Sequence, residues 1–157
     1  FIGVIAAVIL FCRANKLHLW PTADLIAVST PPGLLFGRVA NFINAELWGR
    51  PTEVYWGVIF PKVDNLLRHP SQLSQAILEG FILFLIMNYV INKKDYKIGD
   101  CSYLFLIFYG LFRIFSEFFR QPDIQIGYVL GSITLGMILS IVMIFAGIIL
   151  YFKKNEI

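Results

Sequence analysis

Long apolar stretches separated by short polar breaks run along the whole chain. They predict five membrane segments, namely Phe1–Cys12, Pro21–Phe42, Leu73–Ile91, Cys101–Phe119 and Gly127–Phe152. Because crossing the hydrocarbon core of a bilayer takes about 20 residues, the last four segments are long enough and the first is too short. The first segment is therefore predicted to be the tail of a truncated helix, and the chain to be the C-terminal part of a longer protein.

The second segment carries two prolines inside its apolar run. Proline removes a backbone donor and clashes with the preceding turn, so Pro31-Pro32-Gly33 predicts a helix that is broken or kinked. Broken helices are tolerated at membrane depth where they line a cavity or are buried in protein. We therefore predict a Pro-broken second segment.

Basic loop residues fall unevenly on the two sides of the predicted bundle, and the more basic side is expected to be cytoplasmic. That side holds Arg13, Lys16, Lys93, Lys94, Lys97, Lys153 and Lys154. The N-terminal end and the polar loop Glu46–Ser71, which carries a candidate substrate-site motif, are thereby predicted to be periplasmic, and the C-terminus cytoplasmic. The predicted fold is all-α: a polytopic helical integral membrane protein with one domain over residues 1–157.

Composition supports a membrane protein and excludes other classes. The chain is 58% hydrophobic and 15% charged, with a mean hydropathy of +0.74, whereas soluble domains carry about 25% charged residues. No basic run is interleaved with aromatic residues, so nucleic-acid binding is not expected. Cys12 and Cys101 are isolated, and His18 and His69 lack a partner at metal-ligand spacing, so no metal site is predicted.

Two arginines on different segments carry the strongest chemical signal. Ionisable residues within the bilayer cost about 2.5–3.5 kcal/mol each on insertion scales and are seldom kept without a role. Arg38 and Arg113 lie at a similar depth on the same predicted side, and guanidinium groups match phosphate oxygens. They predict a bound lipid phosphate. For Arg113, an ion pair with Glu117, four residues on, is an equally good interpretation.

The residues that follow Arg38 extend this polar face. Asn41 and Asn44 come three and six residues later, on the same side of a helix, where they would orient a headgroup or form a cap and an interhelical hydrogen bond. Glu46 is a candidate general base or a partner for an arginine. Gly49 either permits a tight turn beneath the substrate or is an ordinary loop glycine.

Four further polar residues have weaker functional signals. His69 titrates near neutral pH and is able to move a proton, although a solvated or capping loop histidine is the commoner case. It follows Arg68 at the start of the third segment. Arg120 is either an interfacial anchor or a phosphate contact, and Glu79 is predicted to be packed within the bundle.

Several motifs occur in order over almost the whole chain. They are Gly37–Arg50, Arg68-His69-Pro70-Ser71-Gln72-Leu73, Leu78-Glu79-Gly80, Tyr109-Gly110-Leu111-Phe112-Arg113 and Glu117-Phe118-Phe119-Arg120-Gln121-Pro122-Asp123. Together they closely resemble the prolipoprotein diacylglyceryl transferase family. The resemblance implies an enzyme of the bacterial inner membrane, with its active site toward the periplasm. Its substrates would be phosphatidylglycerol, which donates a diacylglyceryl group, and the lipobox cysteine of a prolipoprotein, and the resemblance implies no metal or organic cofactor.

The resemblance also implies which residues are important. It places key family positions at Arg38, Asn41, Glu46, Gly49, Arg113 and Glu117. Combined with the residue chemistry, this predicts that the catalytic residues are Arg38, Asn41, Glu46, Arg113 and Glu117. The predicted substrate-binding residues are Asn44, Gly49, Arg68, His69 and Arg120. The family also has a His-Gly-Gly motif, whose histidine is a proposed base and would lie upstream of Phe1.

The chain departs from the family pattern at four positions and leaves other classes open. Ala45 replaces a usual glycine, Ser74 and Gln75 replace a common Tyr-Glu, and Met137 stands where glutamine is usual. A transporter or channel would also suit intramembrane arginines but predicts inverted repeats that the chain does not show. A different lipid-phosphate transferase and an inactive fragment are the remaining alternatives.

Overall fold

Helices make up most of this computed structural model, which describes residues 2–122 and 127–154. The helical elements are α1 (Ile2–Ala14), α2 (Leu19–Ile43), α3 (Ser71–Gln75), a π-helical segment (Ala76–Ile82), α4 (Leu83–Ile91), α5 (Asp100–Glu117) and α6 (Leu135–Lys154). Phe1 and Asp123, which belong to the first predicted segment and the last motif, lie outside the described residues.

The predicted break in the second segment is wrong, because α2 continues through both prolines. Pro31 and Pro32 lie inside one helix of 25 residues. Two backbone donors are lost, but the turns on both sides keep their bonds, and the hydroxyl of Thr30 donates to the carbonyl of Ile26 at 2.7 Å. The helix also packs against α3, the π segment, α4 and α5. Neighbouring helices and hydroxyl bonds allow proline in such helices.

The third predicted segment forms a single helical run of 21 residues, Ser71–Ile91. Its middle is the π segment, which holds Glu79. π-Helical turns are rare in proteins, and those that occur are often found at functional sites. The unusual backbone therefore coincides with the one carboxylate of this apolar run.

Two short antiparallel ribbons add to the helices, so the fold is mainly rather than wholly α. One pairs β1 (Val58–Ile59) with β2 (Leu67–Arg68) inside the predicted polar loop. The other pairs β3 (Tyr128–Leu130) with β4 (Ile133–Thr134). The start of the predicted fifth segment is therefore wrong. Residues 127–134 form the ribbon because Gly127 and Gly131 take positive φ of +60° and +55°, which ends a helix and favours turns.

Two helices in the described residues, Ser71–Ile91 and Leu135–Lys153, are long and apolar enough to cross a membrane. Large apolar side chains of α6 are strongly exposed, including Val142 at 59%, Phe145 at 61% and Ile149 at 61%. Apolar surface of this extent marks a protein or membrane contact. The chain is thus predominantly helical with membrane-capable helices, and five spans with a fixed orientation stay a prediction.

A buried carboxylate joins α2 to the beginning of α5. Asp24 is 2% exposed and accepts hydrogen bonds from the Ser102 backbone N–H at 2.8 Å, the Ser102 hydroxyl at 2.6 Å and the Gly99 N–H at 2.5 Å. The first N–H groups of a helix lack partners within it and favour negative charge. The Tyr96 hydroxyl also donates to Asp24, at 2.6 Å. Burial, together with this bond, raises the pKa of Tyr96, so the hydroxyl stays protonated and remains a hydrogen-bond donor.

The crossing of α2 and the π segment depends on Gly80. A Cβ added there would lie 2.7 Å from both the Cα and the Cβ of Leu35, closer than such atoms pack. The missing side chain lets the two backbones approach, as small residues do between membrane helices. Leu35 precedes Arg38 by one turn, and Gly80 follows Glu79. This contact therefore sets the separation of Arg38 from Glu79.

Replacing Gly80 with alanine is expected to lower the stability of the full-length protein in detergent by about 1–3 kcal/mol, the usual cost of overpacking. The same change should weaken the Arg38–Glu79 contact, because the helices must move apart. Thermal unfolding measures the effect. Gly33→Ala is the matched control, since it lies in α2 with nothing within 4 Å of an added Cβ and alanine favours helices. Equal unfolding midpoints for the two variants would contradict the close approach.

Candidate active site

Three arginines and two glutamates alternate in a buried row that we call the arginine–glutamate row. Its members, in spatial order, are Arg38, Glu79, Arg113, Glu117 and Arg120. The closest atoms are Arg38 Nη2 and Glu79 Oε2 at 3.4 Å, Glu79 Oε1 and Arg113 Nη1 at 3.7 Å, Arg113 Nη2 and Glu117 Oε2 at 3.2 Å, and Glu117 Oε1 and Arg120 Nη1 at 3.8 Å. Residues far apart in the chain thus meet in one electrostatic unit.

Three elements position the first four members of the row. Arg38 comes from the last part of α2, Glu79 from the π segment, and Arg113 and Glu117 from successive turns of α5. The side chain of Glu79 is fully buried, and those of Arg38 and Arg113 are 16% and 12% exposed. Buried charges are tolerated when they are paired, which explains why cations and anions alternate.

The row carries an excess positive charge. Its three guanidinium groups face two carboxylates, so cations outnumber anions within the row. Among the described residues, Arg38 Nε and Arg113 Nη1 are buried without a hydrogen-bond partner. Unused guanidinium donors and a net positive charge suit a phosphate group.

A cavity of about 110 Å³ adjoins the Arg120 end of the row. Its polar lining includes Arg113, Glu117, Arg120 and Thr134. The first turn of α6 closes one side, where a Cβ added to Gly136 would lie 3.0 Å from Glu117 Oε1. The arginines therefore border open space as well as carboxylates.

Gly49 ties the polar loop to the end of α5. Its N–H donates to the His69 carbonyl at 3.1 Å, and the N–H of Arg50 donates to the Phe119 carbonyl at 3.0 Å. A Cβ at Gly49 would lie 2.8 Å from that Phe119 oxygen. Gly49 also forms a backbone bridge with Arg120. The loop is thus held directly beside the arginine–glutamate row.

Arg68 and His69, predicted to bind substrate, have well-defined partners inside the loop. Arg68 is 8% exposed; its Nη2 lies 2.5 Å from Asp64 Oδ2, and its Nη1 donates to the Gly49 carbonyl at 3.0 Å. The His69 ring packs edge-on against Phe119, with 5.3 Å between ring centroids. The structure therefore gives Arg68 a role in shaping the loop, while its substrate contact stays a prediction.

The residues after Arg38 lie at the mouth of the site. Asn44 ends α2 and is exposed, Glu46 is exposed, and Asn41 is half-buried. The Glu46 N–H donates to the Asn41 carbonyl at 2.8 Å, which closes a tight turn. Ala45 takes φ +56° in this turn, a conformation that glycine adopts most easily. The departure at Ala45 therefore retains the turn with a less suitable residue.

Sequence reasoning placed Arg38, Arg113 and Glu117 on one side of the bundle, and the structure brings them together. The alternative ion pair of Arg113 with Glu117 is also present, at 3.2 Å. Glu79 was missed as a site residue, because it was assigned to packing. The sequence did contain a signal: Glu79 is a carboxylate within an apolar segment, and the segments before and after it carry Arg38 and Arg113.

The Asp64–Arg68 pair gives a pH-dependent prediction for the loop. The hydrogen bond from Arg68 lowers the pKa of Asp64. A carboxyl whose pKa is lower in the folded state contributes stability above its unfolded pKa, near 4, and loses it as the pH falls through the folded value. The unfolding midpoint of Asp64→Asn should therefore lie below that of the parent at pH 5–7, with the gap closing below about pH 4. Asp95→Asn is the control, because Asp95 is more exposed and lies 4.0 Å from Lys93; its unfolding midpoint should equal that of the parent. A difference between Asp64→Asn and the parent that persists in acid would contradict the prediction.

These features define a predominantly helical protein with membrane-capable helices and a buried, net-positive site suited to an anionic group. A family model described as prolipoprotein diacylglyceryl transferase matches residues 1–153. The chain belongs to this family.

Curated relatives agree with the family match. The chain is 51% identical over 156 residues to a protein of Rickettsia bellii (strain OSU 85-389), covering 98% of this chain and 59% of the relative. It is 50% identical over 164 residues to one of Pasteurella multocida (strain Pm70), covering 99% and 60%. A third relative, from Rhodospirillum rubrum, is 49% identical over 153 residues, covering 96% and 56%. All three are named phosphatidylglycerol–prolipoprotein diacylglyceryl transferase, and the chain spans about three fifths of their length.

Proposed function

We propose that the protein containing this chain transfers the diacylglyceryl group of phosphatidylglycerol to the lipobox cysteine of prolipoproteins. This is the first step of bacterial lipoprotein maturation. The observation that carries the proposal is the arginine–glutamate row, in which Arg38 and Arg113 present buried, unused donors beside a net positive charge. Family membership and the names of the relatives support the same activity.

In the proposed reaction the cysteine sulfur attacks the diacylglyceryl carbon that is esterified to phosphate. A carbon–sulfur bond forms, the carbon–oxygen bond to phosphate breaks, and glycerol phosphate leaves with one more negative charge than the phosphate had in the lipid. Arg38 and Arg113 hold the phosphate and stabilise that developing charge. The thiol must lose its proton to become the nucleophile.

The proton acceptor is proposed to be one of two groups. Glu46 is exposed at the mouth of the site, where a peptide arriving from the aqueous side would meet it. The alternative is the histidine of the family's His-Gly-Gly motif, upstream of Phe1. Asn41 and Glu117 are proposed to act beside the arginines, while Asn44, Gly49, Arg68, His69 and Arg120 shape the mouth and contact substrate.

The membrane arrangement is part of the proposal. Five segments, with the loop Glu46–Ser71 on the periplasmic side of the bacterial inner membrane, would place the site where prolipoproteins arrive. The basic loop residues on the opposite side support this orientation. Acyl chains of the lipid would lie between helices, against apolar surface such as that of α6.

The test is diacylglyceryl transfer by the full-length protein reconstituted in liposomes. With phosphatidylglycerol, a lipobox peptide should gain the mass of one diacylglyceryl group, and glycerol phosphate should be released in equal amount. Liposomes of phosphatidylethanolamine alone and a peptide with serine in place of the cysteine are the controls. Absence of a modified peptide from phosphatidylglycerol liposomes, with the protein folded and inserted, would refute the proposal.

A further inference from the structure

A buried glutamine near the arginine–glutamate row has a side-chain amide without hydrogen-bond partners among the described residues. Gln75 is fully buried, and neither its Nε2 nor its Oε1 has a hydrogen-bond partner among the described residues. Burying an amide without partners is costly, and buried side-chain amides in native proteins are nearly always bonded. Gln75 is therefore placed to receive a polar ligand group.

The position of Gln75 follows from contacts on either side of it. Three residues earlier, Gln72 Nε2 donates to the Glu46 carbonyl at 2.7 Å. Four residues later, Glu79 meets Arg38 at 3.4 Å. The helix of Gln75 thus runs antiparallel to α2, and Gln75 lies between the mouth of the site and Arg38.

Gln75 also lies on the side of its helix that faces the row. The π segment begins at Ala76 and closes i→i+5 bonds, so residues four apart lie on nearly the same side of the widened turn. Gln75 and Glu79 therefore share a face, and α3 packs against both α2 and α5.

We propose that Gln75 is a specificity-determining residue that binds the hydroxyl groups of the glycerol headgroup of phosphatidylglycerol. The inference rests on the proposed function and names a residue for substrate selection. Arg38 and Arg113 take the phosphate through their unpartnered donors. The next group along the lipid is uncharged and carries hydroxyls that both donate and accept, and a neutral amide offers the same two capacities.

Gln75→Met in the full-length protein is the decisive variant, because it keeps the length of the side chain and removes both hydrogen-bonding atoms. The KM for phosphatidylglycerol should rise about tenfold, which corresponds to one lost hydrogen-bonded contact, with little change in kcat. The unfolding midpoint without lipid should equal or exceed that of the parent, since no hydrogen bond within the described chain is lost. Gln72→Met is the contrast, and should lower the midpoint because Gln72 bonds the Glu46 carbonyl.

A binding measurement tests the inference without turnover. Short-chain phosphatidylglycerol should raise the unfolding midpoint of the parent more than phosphatidylmethanol with the same chains, which keeps a singly charged phosphodiester but lacks the glycerol hydroxyls. Gln75→Met should respond equally to both lipids. If instead its midpoint falls as that of Gln72→Met does, while KM and lipid preference are unchanged, Gln75 is structural and the inference is overturned. A parent that prefers phosphatidylglycerol but transfers nothing would refute the proposed function alone.

Discussion

Replacing Glu79 with leucine is expected to destabilise the protein by about 3–5 kcal/mol, the usual cost of removing one partner of a buried ion pair. Glu79 is fully buried between Arg38 and Arg113. Without it, two guanidinium groups face each other in a low-dielectric interior, and Arg38 keeps no anion among its described contacts. Thermal unfolding of the full-length protein in detergent measures the loss, and Glu53→Gln, an exposed loop carboxylate, is the control.

A double variant separates charge pairing from packing. Adding Arg38→Leu to Glu79→Leu should recover part of the lost stability, because Arg113 retains Glu117 at 3.2 Å and the cation that lost its only described anion is gone. The coupling in such a cycle reports the pair itself. Additive losses from the two substitutions would show that Arg38 and Glu79 do not form a buried pair.

Replacing Arg113 with lysine is expected to lower kcat for diacylglyceryl transfer by about 10²–10³-fold, the range for losing a donor aimed at developing charge. Arg113 lies within 3.7 Å of Glu79 and 3.2 Å of Glu117 through its two Nη atoms. A lysine ammonium is a single point charge and lacks the planar fork that contacts two acceptors. A lysine at position 113 would therefore lose its contact either with one of the two carboxylates or with the lipid phosphate.

The measurement is the liposome transfer assay, with insertion and unfolding midpoint checked in parallel. Arg13→Lys, an exposed change at the end of α1, is the matched control and should transfer at the parent rate. Because the Arg113→Lys substitution preserves the charge, a large drop in kcat with little change in stability separates geometry from charge. Parent-like turnover by Arg113→Lys would remove Arg113 from the proposed phosphate clamp.

The sequence predicted a mainly helical chain in which Arg38 and Arg113 converge, because hydropathy and charge can be followed locally along the chain. It did not predict that α2 passes through Pro31 and Pro32, since that outcome depends on neighbouring helices and hydroxyl groups. The ribbon over residues 127–134 was missed for a related reason. Its residues are apolar enough to extend a span, and only the positive φ of two glycines reveals the turn.

The partners within the site needed the tertiary structure. Arg113 and Glu117 are four residues apart, so their contact was visible as a helical spacing. Arg38 and Glu79 lie on different helices and meet only because Gly80 lets α2 approach. Arg68 was predicted to bind substrate, whereas its bidentate contact with Asp64 depends on the fold of the loop.

Asp24 and Arg38 together fix the position of α2 along its own axis relative to the helices that it contacts. Apolar helices can slide past one another with little change in free energy, because lipid chains are as apolar as the side chains they contact. Asp24 fixes one end of α2 to the start of α5, and Arg38 fixes the other end to Glu79. A shift of α2 by one residue would displace both polar contacts by about 1.5 Å at once. The two ties together therefore select one depth for the helix.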